Sequence, residues 1–380
     1  MLSEEEGNLL DAEAEALVNT VNTTGIMGKG IALQFKQAYP GNFRAYQAAC
    51  RRGEVRLGRM FTYETGLLGN PRLIINFPTK GHWRARSRLS DIEAGLADLR
   101  HVIRDRKIGS IAVPPLGCGN GGLDWREVRP LIGAILGELP DVQVMVYPPQ
   151  GTPAAESMQV STARPAMTAG RAALLTALGR YIRLSRLEQA AAPEGASLLE
   201  IQKLMYFLQQ AGQPLRLSYV KARYGPYADN LNHVLQALEG HYLRGYGDRT
   251  QQVLKLSPIA LMPGAEDEGQ RWLADHPDET ASRIDAVIRL VAGFASAYGL
   301  ELLATVHWIA TQEGADQIAD AAALTQHIGS WNERKGRLFT EAHVRNAIDH
   351  LSGLGWVTAA QQADTPSAGD AGQRSGGQAG

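Results

Sequence analysis

Three groups of residues in this 380-residue chain have types and spacings that suit chemistry on an anionic ligand. The first is Val18-Asn19-Thr20-Val21-Asn22-Thr23-Thr24-Gly25-Ile26-Met27-Gly28-Lys29-Gly30-Ile31-Ala32, a β-branched run that ends in an asparagine and crosses three glycines. Glycines let backbone N–H groups turn toward an anion with no side chain in the way. A helix beginning near Ile31 adds its positive N-terminal end. The second group, Gly117-Cys118-Gly119-Asn120-Gly121-Gly122-Leu123-Asp124-Trp125, follows the apolar run Ser110–Leu116 and again concentrates glycines where backbone donors are needed. Asp124 is placed to cap a helix starting near Trp125, with Glu127 three residues on as in a capping box. The third is Lys80, just beyond Ile74-Ile75-Asn76-Phe77-Pro78-Thr79, where Pro78 is expected to stop a strand. By its residues alone Lys80 is an exposed loop lysine, a partner for a ligand phosphate, or an amine whose lowered pKa makes it a nucleophile.

These residues need a scaffold that brings strand ends together. Apolar runs at Leu9–Leu10, Ala16–Val21, Met60–Tyr63, Leu73–Phe77, Ser110–Val113 and Val142–Tyr147 read as strands. Helical patterns at Ile31–Gln37, Phe43–Arg51, Arg88–Asp105 and Arg126–Leu136 alternate with them. Such alternation predicts an α/β fold, a mixed sheet between two helical layers, over residues 1–150. Two glycine loops at the C-terminal ends of strands fit the general rule for ligand sites in such sheets. Pro148-Pro149-Gln150-Gly151-Thr152-Pro153 opens a linker over residues 151–165. Beyond it, apolar stripes at Leu198, Ile201, Leu204, Met205 and Leu208, at Leu231, Val234, Leu235 and Leu238, and at Ile284, Val287, Ile288, Val291 and Phe294 predict a mainly helical domain over 166–360. These stripes are core rather than a cofactor box. The Gly/Ala/Ser/Gln-rich residues 361–380 are expected to be a disordered tail.

Composition narrows the class. With 44% hydrophobic and 20% charged residues the chain is of the soluble globular type, and no run is long and apolar enough for a membrane span. Glu4-Glu5-Glu6 is not the start of a secretory signal. Cys50 and Cys118, the only two cysteines, have no metal-like spacing, so no metal site, no cofactor and a reducing cytoplasm are expected. Residues 1–150 carry 18 Lys+Arg against 16 Asp+Glu, and the remainder 20 against 23. A first domain that touches a phosphate backbone and a second that does not are compatible with that balance.

The two glycine loops together resemble those of the macrodomain family, which binds ADP-ribose. That resemblance implies the three-layer macrodomain fold, and it assigns to ADP-ribose the residues Asn8 and Leu9, Asn22, Gly28, Gly30 and Ile31 in the first loop region, and Gly117, Cys118, Gly119, Asn120, Gly121, Gly122 and Leu123 in the second. Gly7-Asn8-Leu9-Leu10 stands where many macrodomains carry Gly-Asp-Ile-Thr, so an amide replaces the aspartate that faces adenine. The string from Val18 to Lys36 is similar to the branch comprising the DNA ADP-ribosyl glycohydrolases of toxin–antitoxin pairs. Within that branch Lys80 matches the catalytic lysine, and Asn22 would fix the distal ribose. The aspartate that a protein-directed relative uses to release a lysine-bound intermediate is absent, its aligned position being Gly121. The implied reaction is hydrolysis of an N-glycosidic bond between ADP-ribose and a thymidine base in DNA, through a transition state of oxocarbenium character. Trp83, Arg84 and Arg86 are candidates for gripping DNA or stacking on a base, or else belong to a solvated loop.

The second half resembles the C-terminal region of the same branch, which implies binding of a cognate DNA ADP-ribosyltransferase toxin. Arg223-Tyr224-Gly225-Pro226-Tyr227-Ala228 is expected to reverse the chain at Gly225-Pro226 between two clamping tyrosines. Phe339–Leu351 followed by Gly355-Trp356-Val357-Thr358 is similar to the helix-then-strand of a winged helix. Only Arg345 and two histidines, His343 and His350, are available to face a DNA groove there, so DNA reading is not expected of it. Two other functions remain open at this level: an ADP-ribose reader without catalysis, and an antitoxin that acts by protein binding alone.

Overall fold

The β-branched residues of Ala16–Asn22, buried on both faces, form the middle of the first domain, and the elements around them follow in alternation. The computed structural model describes residues 1–151, 153–250, 257–314 and 320–357. Strands β1 (Leu2–Glu4), β2 (Ala16–Asn22), β3 (Phe61–Glu64), β4 (Leu73–Lys80), β5 (Ser110–Val113) and β6 (Gln143–Val146) make one sheet in the order β1-β6-β5-β2-β4-β3. All pairs are parallel except β3 with β4. Helices α1 (Ile31–Ala38), α2 (Pro40–Arg51), α3 (Leu89–Asp105) and α4 (Trp125–Leu136) cover it. Val18, Ile75, Phe77, Ile111 and Val113 pack with Ile92, Leu96 and Leu99 of α3 and Val128 and Ile132 of α4 on one face. Leu17, Ile74 and Ala112 pack with Phe35 of α1 on the other. This is the expected three-layer arrangement.

Two local expectations change. Leu9 and Leu10 lie in a 3-10 turn, not a strand, because Asn8 precedes them as an N-cap, its Oδ1 accepting the Leu10 N–H at 3.2 Å. The edge strand β1 instead comes from Leu2–Glu4, paired with β6. Strand β4 does not stop at Pro78 but runs through Lys80. Pro78 is tolerated there because β3 pairs only as far as Asn76, and the ladder with β2 skips a residue, Val21 facing Pro78 and Asn22 facing Lys80. Thr79 is the extra residue of that bulge.

The C-terminal unit contains α5 (Ala169–Glu188), α6 (Leu198–Gln210), α7 (Leu231–Leu238), α8 (Ala265–Asp275), α9 (Thr280–Val291), α10 (Ala297–Trp308), α11 (Ala321–Trp331), α12 (Glu333–Leu338) and α13 (Glu341–Gly353). Helix α5 packs on α8 and α9, and α10 on α6 and α13. The α6 stripe is wholly buried, and Ser197 with Glu200 closes a capping box at its start. Two small antiparallel pairs accompany the helices: β7 (Tyr219–Ala222) with β8 (Gly225–Ala228), and β9 (Leu243–Arg244) with β10 (Ala260–Leu261). The chain reverses at Arg223-Tyr224, one step before the expected Gly-Pro. Ala222 pairs with Gly225, whose φ of 90° favours glycine. Helix α13 stands where the winged-helix reading placed it, but residues 354–357 are turn and bend, and Thr358 and the tail 361–380 lie outside the described residues. Among the described residues no helix is long and apolar enough to cross a membrane.

Candidate active site

Because β2, β4 and β5 run parallel, their C-terminal ends meet at one edge of the sheet. That edge carries Asn22, Lys80 and the loop after Val113. Loop 1, residues 23–30, is shaped by Asn22 itself. Its buried Oδ1 accepts hydrogen bonds from Thr24 N (2.9 Å), Thr24 Oγ1 (2.7 Å) and Ile26 N (3.3 Å), while Nδ2 donates to the Ile26 carbonyl at 2.6 Å. Tyr46, buried on α2, donates its hydroxyl to the Asn22 carbonyl at 2.6 Å. The asparagine at the strand end therefore builds the loop from within.

A second asparagine group, which the pattern of the strands did not single out, lies beneath it. Asn19 Nδ2 donates to Asn76 Oδ1 at 2.9 Å, and Asn76 Nδ2 donates to Asn42 Oδ1 at 2.7 Å. All three are fully buried. They tie β2, β4 and α2 together, and Met27 of loop 1 packs near Val21 and Tyr46 above them. The signal that finds them is the recurrence of polar asparagine inside otherwise apolar strands, since buried amides are retained only where they are paired.

Lys80 ends β4 and reaches across the cleft. Its Nζ donates to the Asn120 carbonyl of loop 2, residues 114–124, at 2.9 Å. Burial holds the Lys80 amine below the usual lysine range. Loop 2 turns through Gly117 and Gly122, the N–H of Leu123 closing on the Gly117 carbonyl at 3.1 Å. Asp124 Oδ1 caps α4 through the Arg126 N–H at 2.9 Å. Burial, then the Asp124 charge, push the Cys118 thiol up to about 11.

Among the described residues, no hydrogen bond engages the N–H groups of Met27, Gly28, Lys29, Ile31 and Ala32 in loop 1 and the start of α1, or those of Gly119, Asn120 and Gly121 in loop 2. The Gly30 N–H is different, since it donates to the Asp248 carbonyl at 2.9 Å. The loops face each other closely: a Cβ on Gly30 would lie 3.3 Å from Asn120 Nδ2. Unpaired backbone donors on both sides of a narrow cleft suit a diphosphate. A lysine spanning the cleft adds a positive charge and an amine.

Gly121 is confined from below. A Cβ there would stand 2.3 Å from the Gly117 carbonyl oxygen and 2.3 Å from Ser87 Oγ. Position 121 thus takes a side chain only if loop 2 shifts. Asn8 spends its Oδ1 on the Leu10 N–H, and its buried Nδ2 has no partner among the described residues. Leu9 beside it is buried. Trp83 is exposed beyond Lys80, with the Arg84 guanidinium 4.4 Å from its ring centroid and His82 stacked obliquely alongside. The Arg86 Nε approaches Gly122 of loop 2. No cluster of His, Cys, Asp or Glu able to hold a metal occurs among the described residues.

The family model for the Macro domain matches residues 18–132. Over 355 residues the chain is 47% identical to the DNA ADP-ribosyl glycohydrolase of Mycobacterium tuberculosis, covering 92% of this chain and 99% of that protein. It is 48% identical over 368 residues to the DNA ADP-ribosyl glycohydrolase of Thermus aquaticus, covering 96% and 97%. The solved macrodomain of Mycobacterium tuberculosis DarG is 58% identical and aligns with 40% of this chain and 99% of its own, at a TM-score of 0.39. With two relatives matched along nearly their whole length, and the paired loops and bridging lysine in place, the chain belongs to the DNA ADP-ribosyl glycohydrolase (DarG) family.

Proposed function

We propose that this protein hydrolyses the N-glycosidic bond between ADP-ribose and a thymidine base in DNA, and that its C-terminal unit binds the DNA ADP-ribosyltransferase toxin that makes the modification. The observation that carries the catalytic half is Lys80 Nζ held on the Asn120 carbonyl between two loops of unpaired N–H groups. Loop 1 and loop 2 bind the diphosphate through the unpaired N–H groups of Gly28, Ile31, Gly119, Asn120 and Gly121, while Cys118, Gly122 and Leu123, whose N–H groups are turned onto the Pro115, Gly119 and Gly117 carbonyls, hold loop 2 in shape. Asn8 and Leu9 lie against the adenine. Asn22 fixes the distal ribose indirectly by holding loop 1 in shape, and its second Nδ2 hydrogen is the direct contact it can add.

Bond cleavage leaves positive charge on the distal ribose, and a diphosphate held nearby favours that charge. Lys80 acts either by orienting and polarising the ribose, or by attacking the anomeric carbon as the thymine leaves, after which opening of the ribose ring gives an imine that water hydrolyses to free ADP-ribose and the lysine amine. Lys80 acts without a carboxylate at position 121, where none fits unless loop 2 shifts, and Asp124, the nearest carboxylate of loop 2, is occupied in capping α4. Trp83, Arg84 and Arg86 follow Lys80 closely in the chain, and an aromatic face with two guanidinium groups suits a displaced base and its phosphates. The partner assignment is supported by the Thermosipho africanus relative, named a DNA ADP-ribosyl transferase–DNA ADP-ribosyl glycohydrolase fusion protein and 35% identical over 163 residues, 39% of this chain and 42% of that one.

The test follows release of free ADP-ribose from an oligonucleotide carrying ADP-ribose on thymidine. The intact protein should turn it over and Lys80→Ala should not, while calorimetry still finds ADP-ribose bound. Tight binding without turnover by either protein would instead make the first domain a reader.

A further inference from the structure

One residue of the C-terminal unit reaches the ligand loops. Asp248 is buried, and its backbone carbonyl accepts the Gly30 N–H at 2.9 Å. Its carboxylate is held on both sides. Oδ2 accepts from Gln34 Nε2 of α1 at 2.7 Å, and Oδ1 accepts from Thr250 N at 3.0 Å and Thr250 Oγ1 at 2.6 Å. The Thr250 methyl lies beside Gly30, 3.3 Å from where a Cβ would stand, as does the amide of Asn120. Three parts of the molecule therefore converge at Gly30: loop 1, loop 2 and this C-terminal segment.

The root of the segment is held within the C-terminal unit. The buried Glu239 carboxylate accepts the N–H groups of Gly245 (3.1 Å), Tyr246 (3.2 Å) and Gly247 (3.4 Å), and the buried Tyr246 hydroxyl donates to Asn232 Oδ1 at 2.8 Å. The linker adds further contacts between the units, with Ser161 N on the Gln37 carbonyl and Gln159 Nε2 on Asp11. This loop thus delivers an acidic residue to the start of α1. There backbone donors and the helix dipole favour an anion.

We propose that the Asp248 segment is an internal competitor for the ligand at loop 1, so that ADP-ribose binding and the docked segment exclude each other. The proposal rests on the reading of loops 1 and 2 as the ADP-ribose cleft. In the docked state one N–H of that cleft is consumed, and a carboxylate stands beside the place the diphosphate takes. A phosphate entering loop 1 regains the Gly30 donor only by displacing Asp248, and like charges oppose their coexistence. By linkage, any partner that draws the segment away through the C-terminal unit raises affinity for ADP-ribose by the same factor that ADP-ribose raises affinity for it.

The experiment uses the full chain and ADP-ribose. Asp248→Ala keeps the backbone carbonyl but removes the carboxylate and its bond from Gln34, which loosens the docked segment, so it should bind ADP-ribose more tightly by about tenfold, the scale of one hydrogen bond to a charged group, with kcat on ADP-ribosylated oligonucleotide unchanged and KM lowered. Hydrogen exchange on the unmodified protein gives an independent readout. Adding ADP-ribose should speed exchange at residues 245–250 while protecting loop 2. Unchanged or weaker binding by the variant, or slower exchange at 245–250 with ligand, overturns the proposal. An unmodified chain that binds no ADP-ribose at all would instead overturn the reading of the cleft, and the competitor with it.

Discussion

The Lys80 amine and the Asn120 carbonyl, 2.9 Å apart, join the two ligand loops across the cleft. One contact thereby sets both the position of the amine and the separation of the loops. It also ties the chemistry to pH. Burial lowers the Lys80 pKa, so at neutral pH a larger share of this amine is uncharged than of a free lysine. If the neutral amine attacks the anomeric carbon, kcat rises with pH up to that lowered pKa and then levels, and borohydride added during turnover leaves an ADP-ribose adduct on Lys80. If Lys80 instead acts as a cation, kcat falls over the same interval and no adduct forms. Lys80→Ala should lose at least about a hundredfold in kcat in either case.

Gly121→Asp tests whether a lost carboxylate can be put back. The Gly117 carbonyl and Ser87 Oγ occupy the space a Cβ would need. Ser87 also donates its own N–H to the Gly121 carbonyl at 3.0 Å, which fixes the loop from the other side. Loop 2 must rebuild to accept the side chain. The variant should be less stable by about 1–3 kcal/mol, the usual scale of overpacking, and should bind ADP-ribose more weakly instead of turning over faster. Thermal unfolding and calorimetry read the two effects. A faster enzyme with unchanged stability would mean the loop is softer than this packing implies.

Asn76→Ala strikes beneath the site. It leaves Asn42 Oδ1 without its partner and Asn19 Nδ2 with only the Met27 sulfur, in a fully buried setting. The expected cost is about 2–5 kcal/mol from unpaired polar groups and the vacated space. Because the group lies under loop 1, ADP-ribose affinity should fall along with stability. Urea unfolding and calorimetry on the same samples would separate this from a change confined to the core, in which affinity is kept.

How far the sequence reveals such features depends on how local they are. The strand from Ala16, its terminal asparagine and both glycine loops are contiguous, and their physical logic reads directly from residue order. The neighbouring placement of Asn22 and Lys80 needed only that two buried strands be parallel. Pro78 misled because a proline usually ends a ladder, and only the short reach of β3 shows why this one does not. The Leu9–Leu10 pair looked like a strand because apolar content outweighed the capping signal of Asn8. Asp248 had no local signal at all. Its meeting with Gly30 and Gln34 depends on how one unit packs on the other, which no spacing along the chain encodes.

The C-terminal core offers a different pH effect, centred on Lys203. This buried lysine of α6 donates to the Pro226 carbonyl at 2.6 Å, while Lys335 on α12 pairs with Glu301 of α10 at 2.7 Å and bonds Thr305. Burial, then the Lys335 charge, lower the Lys203 pKa to about 7, with Glu301 opposing the shift. The unfolded chain takes up this proton below about 10.5, whereas the folded one waits until about 7. Stability therefore falls as pH drops through that window, by at most about 1.4 kcal/mol per pH unit, and this contribution is flat below it. Lys203→Met removes the ionisable group while keeping the volume close. Its stability should lose that slope between about pH 7 and 9.5, below the range where tyrosines in the unfolded chain ionise. Urea denaturation of both proteins across that range makes the comparison. A slope retained in the variant would assign the effect to another group, and Lys335 beside Glu301 would be the next to replace.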